Sequence, residues 1–393
     1  MVRDYHARGK LLLTGEYVVM QGALALACPT RRGQSMYIST HCPGCIHWKA
    51  LTPRGEVWLE AEWTLNGMEF NATQGFGRQP LDSSGRMPLN LVGVTRKGME
   101  SSVVRLEEWI TRTLFLSRKA NPDRFNEEVD RIEAEGVSVE TYLEFERDWG
   151  LGSSSSLISL LAQWWGCPAM ELHALTQGGS GYDQACATAA GPIHYQLMGE
   201  GFQSFPHTGF STETQSDPKP DTQTDLSPDI QSDLRPSNRP IPQPCLRPCI
   251  QSVAFRPIFH EHILFVYTGM KQSTDHSLRK YLSRPQSPEP DVLELSECTR
   301  QLTAAADLKE FMEIMHRHEK IISDLLGFEP LQTSLFSRFP GQTKSLGAWG
   351  GDFILAATPD PDQAKKFLKS SGYPVHFSFH DLLLCPDFIE STQ

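Results

Sequence analysis

The chain has 393 residues and a net charge of −11 at pH 7. A chain of this length is too long for one small hydrophobic core and suits two domains of ordinary size. The negative charge, with no run rich in Lys and Arg, disfavours a surface that neutralises nucleic acid or an anionic membrane, so we expect a small-molecule substrate and no nucleic-acid partner.

The start of the chain and the cysteines bear on localisation. No secretory signal pattern precedes the first strand-like run and no apolar stretch reaches membrane-spanning length, so we expect no membrane partner. Nine scattered cysteines are typical of reduced thiols in a cytoplasmic protein. The pairs Cys42/Cys45 and Cys245/Cys249 suggest zinc ligands, but neither has a second pair at a supporting spacing, which disfavours zinc.

The first half of the chain predicts a sheet with helices. Residues 10–20 are predicted as strand, turn and strand, and residues 48–62 as further strand. Residues 98–118 have the apolar spacing of an amphipathic helix. Residues 137–145 alternate with period two, which predicts a strand that ends just before a glycine-rich loop.

The second half begins with a polar segment. Ser, Thr, Asp, Gln and Pro dominate residues 206–250, which cannot bury enough apolar surface and are predicted to form a disordered insertion. After it we predict strands at 261–269, within 347–357 and at 374–379, with helices at 273–284, 291–304, 307–326 and 361–371. The fold class is therefore α+β, with two domains, mixed or antiparallel sheets and helices packed on one side.

A glycine and serine loop is the most informative motif. Gly150-Leu151-Gly152 leads through four serines into an apolar segment of helical length. Glycines allow a tight turn, and the free N–H groups and positive dipole of a helix start attract phosphate, with serine oxygens in reach of phosphate or magnesium. The alternative is purely structural, because serine is also a good N-cap. The spacing matches neither a Walker A loop nor a dinucleotide fingerprint.

Three further pieces accompany this loop. Lys10 and Glu16 flank a buried strand and a tight turn, where a lysine could neutralise phosphate charge. Asp183 follows the flexible loop Gly178–Gly181 and is either a helix cap or a functional carboxylate. A third loop, which contains Gly347, Gly350 and Gly351, lets backbone approach a ligand or forms a plain turn.

In this order, the pieces resemble the GHMP superfamily of small-molecule kinases, which includes galactose, homoserine, mevalonate and phosphomevalonate kinases. Gly15-Glu16-Tyr17 looks closer to phosphomevalonate kinases than to mevalonate kinases. The stretch from Gly181 to Ala185 reads Gly-Tyr-Asp-Gln-Ala and is similar to the motif of the bacterial GYDIA-type GHMP kinases, with one substitution beside the aspartate. The resemblance implies the GHMP kinase fold, with an ATP cleft between an N-terminal ATP-binding domain, 1–200, and a C-terminal domain, 255–393.

The resemblance also implies roles for single residues. Asp183 falls on the aspartate that accepts or orients the acceptor proton, and Lys10 on the lysine beside the transferred phosphoryl group. Ser154 falls on the serine that contacts magnesium. The second magnesium ligand stays open, because Glu171 lies nearby without matching the register. The remaining expected site residues are Gly150, Leu151, Gly152, Ser153, Ser154 and Ser155 for ATP, and Glu16, Gly347, Gly350 and Gly351 for the acceptor.

The expected activity is transfer of the γ-phosphoryl group of ATP, with Mg²⁺, to mevalonate or phosphomevalonate in isoprenoid precursor synthesis. Three alternatives stay open: a kinase for another small alcohol or sugar, diphosphomevalonate decarboxylase on the same fold, and an inactive homologue that only binds a ligand. The oligomeric state also stays open, with a homodimer as one option.

Overall fold

The computed structural model describes residues 2–65, 91–97, 100–198, 247–270, 289–347 and 352–386. None of the helices in these ranges combines the length and the apolar character needed to cross a lipid bilayer. The predicted helix at 273–284 lies outside them, as does most of the predicted insertion; its last residues, 247–250, lie in a strand.

Eight strands form the larger of two sheets. In the order β5-β4-β3-β6-β2-β7-β8, with β1 paired to β2, all neighbours are antiparallel except the parallel pair β3 and β6. The strands are β1 Arg3–Leu12, β2 Ala25–Thr40, β3 Cys45–Leu51, β4 Val57–Leu65, β5 Leu91–Lys97, β6 Val137–Leu143, β7 Ile193–Met198 and β8 Arg247–Ser252.

Helices from the first half of the chain cover one face of this sheet. Because successive side chains of a strand point to opposite faces, Ile46, Trp48 and Val139 lie on that face. There they join one buried apolar cluster with residues of the helices α1 Glu100–Ala120, α2 Pro122–Glu135 and α3 Ser153–Trp165. The burial of this face explains why the strands alternate in sequence. Two further helices of this half are α4 Ala169–Thr176 and α5 Tyr182–Thr188.

The smaller sheet is antiparallel, in the order β10-β11-β9-β12. Its strands are β9 Ile263–Tyr267, β10 Gln342–Ser345, β11 Phe353–Ala357 and β12 His376–Ser378. The accompanying helices are α6 Glu289–Ala304, α7 Leu308–Leu326, α8 Leu331–Ser334, α9 Pro361–Ser370 and α10 Phe379–Leu382.

A shared apolar cluster joins the two sheets. Leu11 and Leu151 from the first half pack in it with Phe265, Phe353 and Phe311 from the second. These side chains are buried, so the end of β1 and the glycine and serine loop are held against the smaller sheet. The α+β class is confirmed, and the loop sits where the two halves of the chain meet.

Two local predictions were wrong. Val18–Gln21 forms a 3₁₀ turn instead of a second strand, because its N–H groups bond within the turn, as Val19 N does to Gly15 O at 2.9 Å. Burial of Val18 and Val19 overrides the strand preference of these branched residues. The strands predicted within 347–357 also lie elsewhere in part: β10 ends at Ser345, before that range, and β11 occupies only its last part, Phe353–Ala357. The helix α2 was not predicted, although Asn121 caps it and Pro122 opens it.

Candidate active site

Lys10 lies near the end of β1, next to the glycine and serine loop. The register between β1 and β2 shifts between Arg8 and Lys10, so Lys10 N is free of the regular ladder and donates to Leu151 O at 2.9 Å. A side chain on Gly9 would overlap Thr30 and the Leu151 carbonyl, so glycine permits this close approach. The first and second motifs are therefore in direct backbone contact.

The loop adopts the backbone conformation that its glycines permit. Gly150 and Gly152 have φ of 66° and 89°, and Gly152 is the N-cap of α3. A β-carbon on Gly152 would lie 2.8 Å from Cγ of Lys10, so the lysine stem passes directly over the helix start. The start of α3 therefore offers its unpaired N–H groups beside an ammonium group, as an anion site requires.

The four serines after Gly152 divide into two kinds. Ser155 and Ser156 are buried, and their hydroxyls donate to Gly152 O at 3.0 Å and to Gln34 Oε1 at 2.8 Å. Ser153 and Ser154 are only partly buried in the first turn of α3. Of the expected ligands, Ser154 thus keeps part of its surface exposed at the helix start, while the hydroxyl of Ser155 bonds to the loop itself.

Asp183 and Lys10 come together although 173 positions separate them. Lys10 Nζ lies 3.4 Å from Asp183 Oδ1 and donates to Tyr182 Oη at 3.1 Å. The side chains of Lys10 and Asp183 keep 17% and 28% of their surface exposed, so solvent and a ligand can reach the pair. The amine, the carboxylate and the helix start therefore converge at one place.

The environment keeps Lys10 charged. Burial opposes its charge, but attraction to Asp183 and the contact with Tyr182 outweigh burial and raise the pKa of Lys10. Burial and the charge of Asp183 also raise the pKa of Tyr182, so its hydroxyl stays protonated. At neutral pH the site holds a cation and a neutral phenol.

Several contacts fix the position of Asp183 at the start of α5. The N-cap Gly181 has φ of 83°, and a β-carbon there would lie 2.8 Å from Cε of Met170. The Tyr195 hydroxyl donates to the carbonyl of Ser180, and Gln184 Nε2 donates to the hydroxyl of Ser159 in α3. Asp183 lies in the first turn of α5 and does not act as its N-cap.

Two residues at the site were not identified from the sequence. Tyr182 contacts Lys10, and its place next to Asp183 was the available signal. His173 is 3% exposed on α4, and neither ring nitrogen has a hydrogen-bond partner in the described part of the chain. Burial lowers the pKa of His173, against the charge of the nearby Asp183. Glu171, the residue weighed as a second metal ligand, is exposed on the same helix.

The third motif reaches the site through Asp352. A methyl group on Gly150 would overlap the Asp352 carboxylate, which packs against the loop just before α3. Asp352 is held by backbone bonds: its N–H donates to Met270 O, and its carbonyl accepts from Thr268 N, both at 2.8 Å. Gly347 has φ of 64°, and no atom of the described residues lies within 4 Å of where its β-carbon would be. Gly350 and Gly351 lie outside the described residues.

Glu16, predicted to bind the acceptor, lies in a separate buried cluster. Lys344 Nζ donates to Glu16 Oε1 at 2.5 Å, and His318 Nε2 lies 3.4 Å from Oε2. Glu16, Lys344 and His318 are fully buried. Burial raises the pKa of Glu16 against the attraction of Lys344. In this arrangement Glu16 ties the first motif to the strand before the third.

The arrangement can bind an anion and orient a hydroxyl. The start of α3 and Lys10 supply positive potential at one point, and Asp183 supplies a carboxylate acceptor next to it. Ser154 and Asp183 are oxygen donors of the kind that Mg²⁺ accepts together with phosphate oxygens. Within the described ranges, no group of three or more His, Cys, Asp and Glu side chains is arranged to hold a metal ion unaided.

Comparison with known proteins matches the whole chain to solved structures. Phosphomevalonate kinase of Streptococcus pneumoniae aligns over 96% of this chain and 99% of its own at 15% identity, with a TM-score of 0.55. Mevalonate kinase of Methanococcus jannaschii aligns over 96% of both chains at 11% identity, with a TM-score of 0.56. Galactokinase of Lactococcus lactis, complexed with galactose, aligns over 96% and 92% at 11% identity, with a TM-score of 0.52.

No model of a known protein family and no curated protein sequence matches the chain. The described residues themselves define the class: an α+β protein of two sheets with a glycine and serine loop at the start of a helix. Within that class, the chain has the GHMP kinase fold, as the sequence motifs predicted.

Proposed function

We propose that the protein is an ATP-dependent kinase that transfers the γ-phosphoryl group to a small-molecule acceptor. The observation that carries this proposal is the convergence of Lys10, Asp183 and the start of α3. Phosphoryl transfer needs alignment of donor and acceptor and neutralisation of the charge that spreads over the transferred oxygens. The helix start and Lys10 meet the second need, and Asp183 meets the first.

Asp183 orients the acceptor. Its side chain is 28% exposed, and its buried Oδ1 faces Lys10 Nζ at 3.4 Å, so the carboxylate can present its other oxygen, Oδ2, to a ligand. A substrate hydroxyl or phosphate that donates to this oxygen would point its own oxygen at the transferred group. Lys10 stays protonated and lies against the same carboxylate, so it stabilises negative charge and does not act as a base.

We place ATP at the loop from Gly150 to Ser155, where Gly150 and Gly152 have positive φ and the start of α3 has no side-chain cap for its first N–H groups. The Asp352 carboxylate packs against Gly150, so a bound phosphate would have to displace it or share a cation with it. Mg²⁺, when bound, would neutralise phosphate charge, and Ser154 is the residue that we propose would hold it. One similar structure, of Streptococcus pneumoniae phosphomevalonate kinase, was solved with phosphomevalonate and AMPPNP, which supports a nucleotide on this fold.

Mevalonate or phosphomevalonate is the acceptor that we propose first. The order of the motifs and the stretch Gly181–Ala185 support it, as do similar structures of kinases for both compounds. A kinase for another alcohol or sugar is the second candidate, because galactokinase has the same fold. The decarboxylase and the inactive homologue are separate outcomes of the test below.

The test is a panel of acceptors with ATP, Mg²⁺ and the purified protein. Mevalonate, phosphomevalonate, diphosphomevalonate, galactose and homoserine are supplied one at a time, and ADP and the phosphorylated product are measured. We expect acceptor-dependent ADP release with mevalonate or phosphomevalonate, and loss of that release in Lys10→Met. Carbon dioxide from diphosphomevalonate would indicate the decarboxylase. Binding of ATP without turnover of any acceptor would support the inactive homologue and contradict the kinase.

A further inference from the structure

Cys42 and Cys45 lie at the two ends of a tight turn between β2 and β3. The sequence between them is Pro43-Gly44, and Cys45 N donates to Cys42 O at 3.1 Å. Gly44 has φ of 72°, so Pro and Gly occupy the positions that a type II turn favours. The ends of such a turn lie within about 7 Å of each other, inside the range that a disulfide can bridge.

The turn is fixed from outside as well. Gly44 N donates to Ile132 O at 2.8 Å, and His41 N donates to Gly136 O at 3.4 Å. A side chain on Gly136 would overlap the carbonyl of Cys42, so the end of α2 sits directly on the turn. The two cysteines are therefore held near each other by the fold, which lowers the entropic cost of joining them.

The two thiols differ in access. Cys42 is exposed and Cys45 is partly buried, and both are free thiols. The side-chain hydrogen bond with Cys42 and partial burial raise the pKa of Cys45 to about 11. Cys42 is thus the thiol that a reagent meets first, and Cys45 is the protonated thiol at the other end of the turn.

We propose that Cys42 and Cys45 form a reversible dithiol and disulfide site that reacts with low-molecular-mass disulfides. Cys42 Sγ loses its proton to solvent and attacks the reagent disulfide, which forms a mixed disulfide and releases one thiolate. Cys45 Sγ then loses its proton and attacks Sγ of Cys42, which breaks the mixed disulfide and releases the second thiolate. One reagent disulfide is reduced to two thiols for each protein disulfide formed.

A metal is the competing ligand for these cysteines. His41 and His47 stack nearby, with ring centroids 5.0 Å apart, and their Nε2 atoms face Glu62 at 3.7 Å and Glu60 at 2.9 Å. The imidazoles therefore pair with carboxylates. In the described ranges, no group of three or more such side chains, this cluster included, is arranged to hold a metal ion. The geometry favours the disulfide.

The experiment treats the reduced full-length protein with oxidised glutathione, blocks the remaining thiols with iodoacetamide and digests with trypsin. Cleavage after Arg32 and Lys49 gives a peptide in which Cys42 and Cys45 are the two cysteines. In the wild type we expect this peptide to carry neither an alkyl group nor glutathione. Its mass should be lower than that of the reduced peptide by two hydrogen atoms. In Cys45→Ser we expect Cys42 to retain glutathione, at least about tenfold more than in the wild type, because a neighbouring thiol acts at millimolar effective concentration.

Three results would overturn the proposal. The first is that the wild-type peptide retains as much glutathione as the Cys45→Ser peptide. The second is that both cysteines of the wild type are fully alkylated, and the third is that dithiothreitol does not reduce the oxidised peptide. Circular dichroism of each variant checks that it is folded. If Cys45→Ser does not fold, Cys45→Ala is used, and Cys42→Ser shows whether Cys45 reacts alone.

Discussion

Two lysine and carboxylate pairs connect the motifs, and they differ in almost every physical respect. The pair of Lys10 and Asp183 spans 3.4 Å and is partly exposed. The pair of Lys344 and Glu16 spans 2.5 Å and is fully buried. An exposed pair contributes little to stability, whereas breaking a buried pair leaves an uncompensated charge and costs several kcal/mol. The first pair is thus available for chemistry, and the second holds the molecule together.

The first motif therefore contains two charges of different kinds, one available for chemistry and one structural. Lys10 and Glu16 belong to one short segment, yet one side chain points to the helix start of α3 and the other to the strand β10. Lys344 in turn precedes the third glycine-rich loop. The buried pair therefore fixes the position of two motifs relative to each other, so that the exposed pair stays aligned.

Replacement of Asp183 by Asn should separate the two roles most clearly. The amide keeps the shape but cannot accept the acceptor proton, so turnover should fall by about 10²- to 10⁴-fold. Because the pair is only partly buried, the free energy of unfolding should fall by less than the loss of about 3–5 kcal/mol expected for a fully buried pair. Steady-state kinetics and urea unfolding measure the two effects. Turnover within a few-fold of the wild type would remove Asp183 from the mechanism.

Replacement of Lys344 by Met should have the opposite profile. It leaves Glu16 buried without its cation, which should lower the free energy of unfolding by about 3–5 kcal/mol. The matched control is the double variant Glu16→Gln with Lys344→Met, in which neither partner is charged and most of the stability should return. Urea unfolding of the wild type, Glu16→Gln, Lys344→Met and the double variant gives the coupling energy. A double variant as unstable as Lys344→Met would show that the ion pair is not the cause.

The pH dependence of stability should report on the same buried region through Glu319. Its carboxylate accepts from Ser345 N at 3.1 Å and from the Ser345 hydroxyl at 2.9 Å, and burial raises its pKa to about 7 from 4.5. Below pH 4.5 the carboxyl is neutral in both folded and unfolded chains. Between pH 4.5 and 7 the unfolded chain alone ionises, so the stabilisation is lost as the pH rises through the folded pKa.

In Glu319→Gln this dependence should disappear, because the amide carries no titratable proton and can still accept from Ser345. The variant should match the wild type near pH 4.5 and exceed it in free energy of unfolding by about 3 kcal/mol at pH 8. Unfolding by urea across this range measures the difference between the two proteins. A constant difference from pH 4.5 to 8 would assign the pH dependence to another group.

Much of the fold and part of the site could be predicted from the sequence. Alternation in residues 137–145 predicted a strand that the structure has as β6, because one face of that strand is buried. The glycine and serine loop was recognised because positive φ and a helix start leave a local signature. The local pattern around Asp183 left a helix cap and a functional carboxylate equally open, and its place beside Lys10 was expected from the family resemblance alone.

The partner of Glu16 could not be predicted from the sequence. Lys344 lies 328 positions away, and nothing in the local pattern of either residue distinguishes a buried ion pair from an exposed charge. The fully buried His318 completes this cluster from α7, where the helical period alone predicts an inward position but no ligand. Long-range pairing of polar groups depends on the assembled core and leaves no short-range periodicity.

The smallest effect should come from Gly152→Ala, which tests whether contact between the helix start and Lys10 matters. The φ of 89° strains any other residue by about 1–3 kcal/mol, and the new methyl group would lie 2.8 Å from Cγ of Lys10. The matched control is Gly55→Ala, where φ is 79° but open space surrounds the new methyl group. Both variants should lose stability in urea from backbone strain, Gly152→Ala more because its methyl group also meets Ser155 Oγ at 2.7 Å. Only Gly152→Ala should lose turnover, by about tenfold for 1.4 kcal/mol of misplacement. Equal turnover in the two variants would mean that the lysine stem adjusts without cost, so that backbone strain alone explains the glycine.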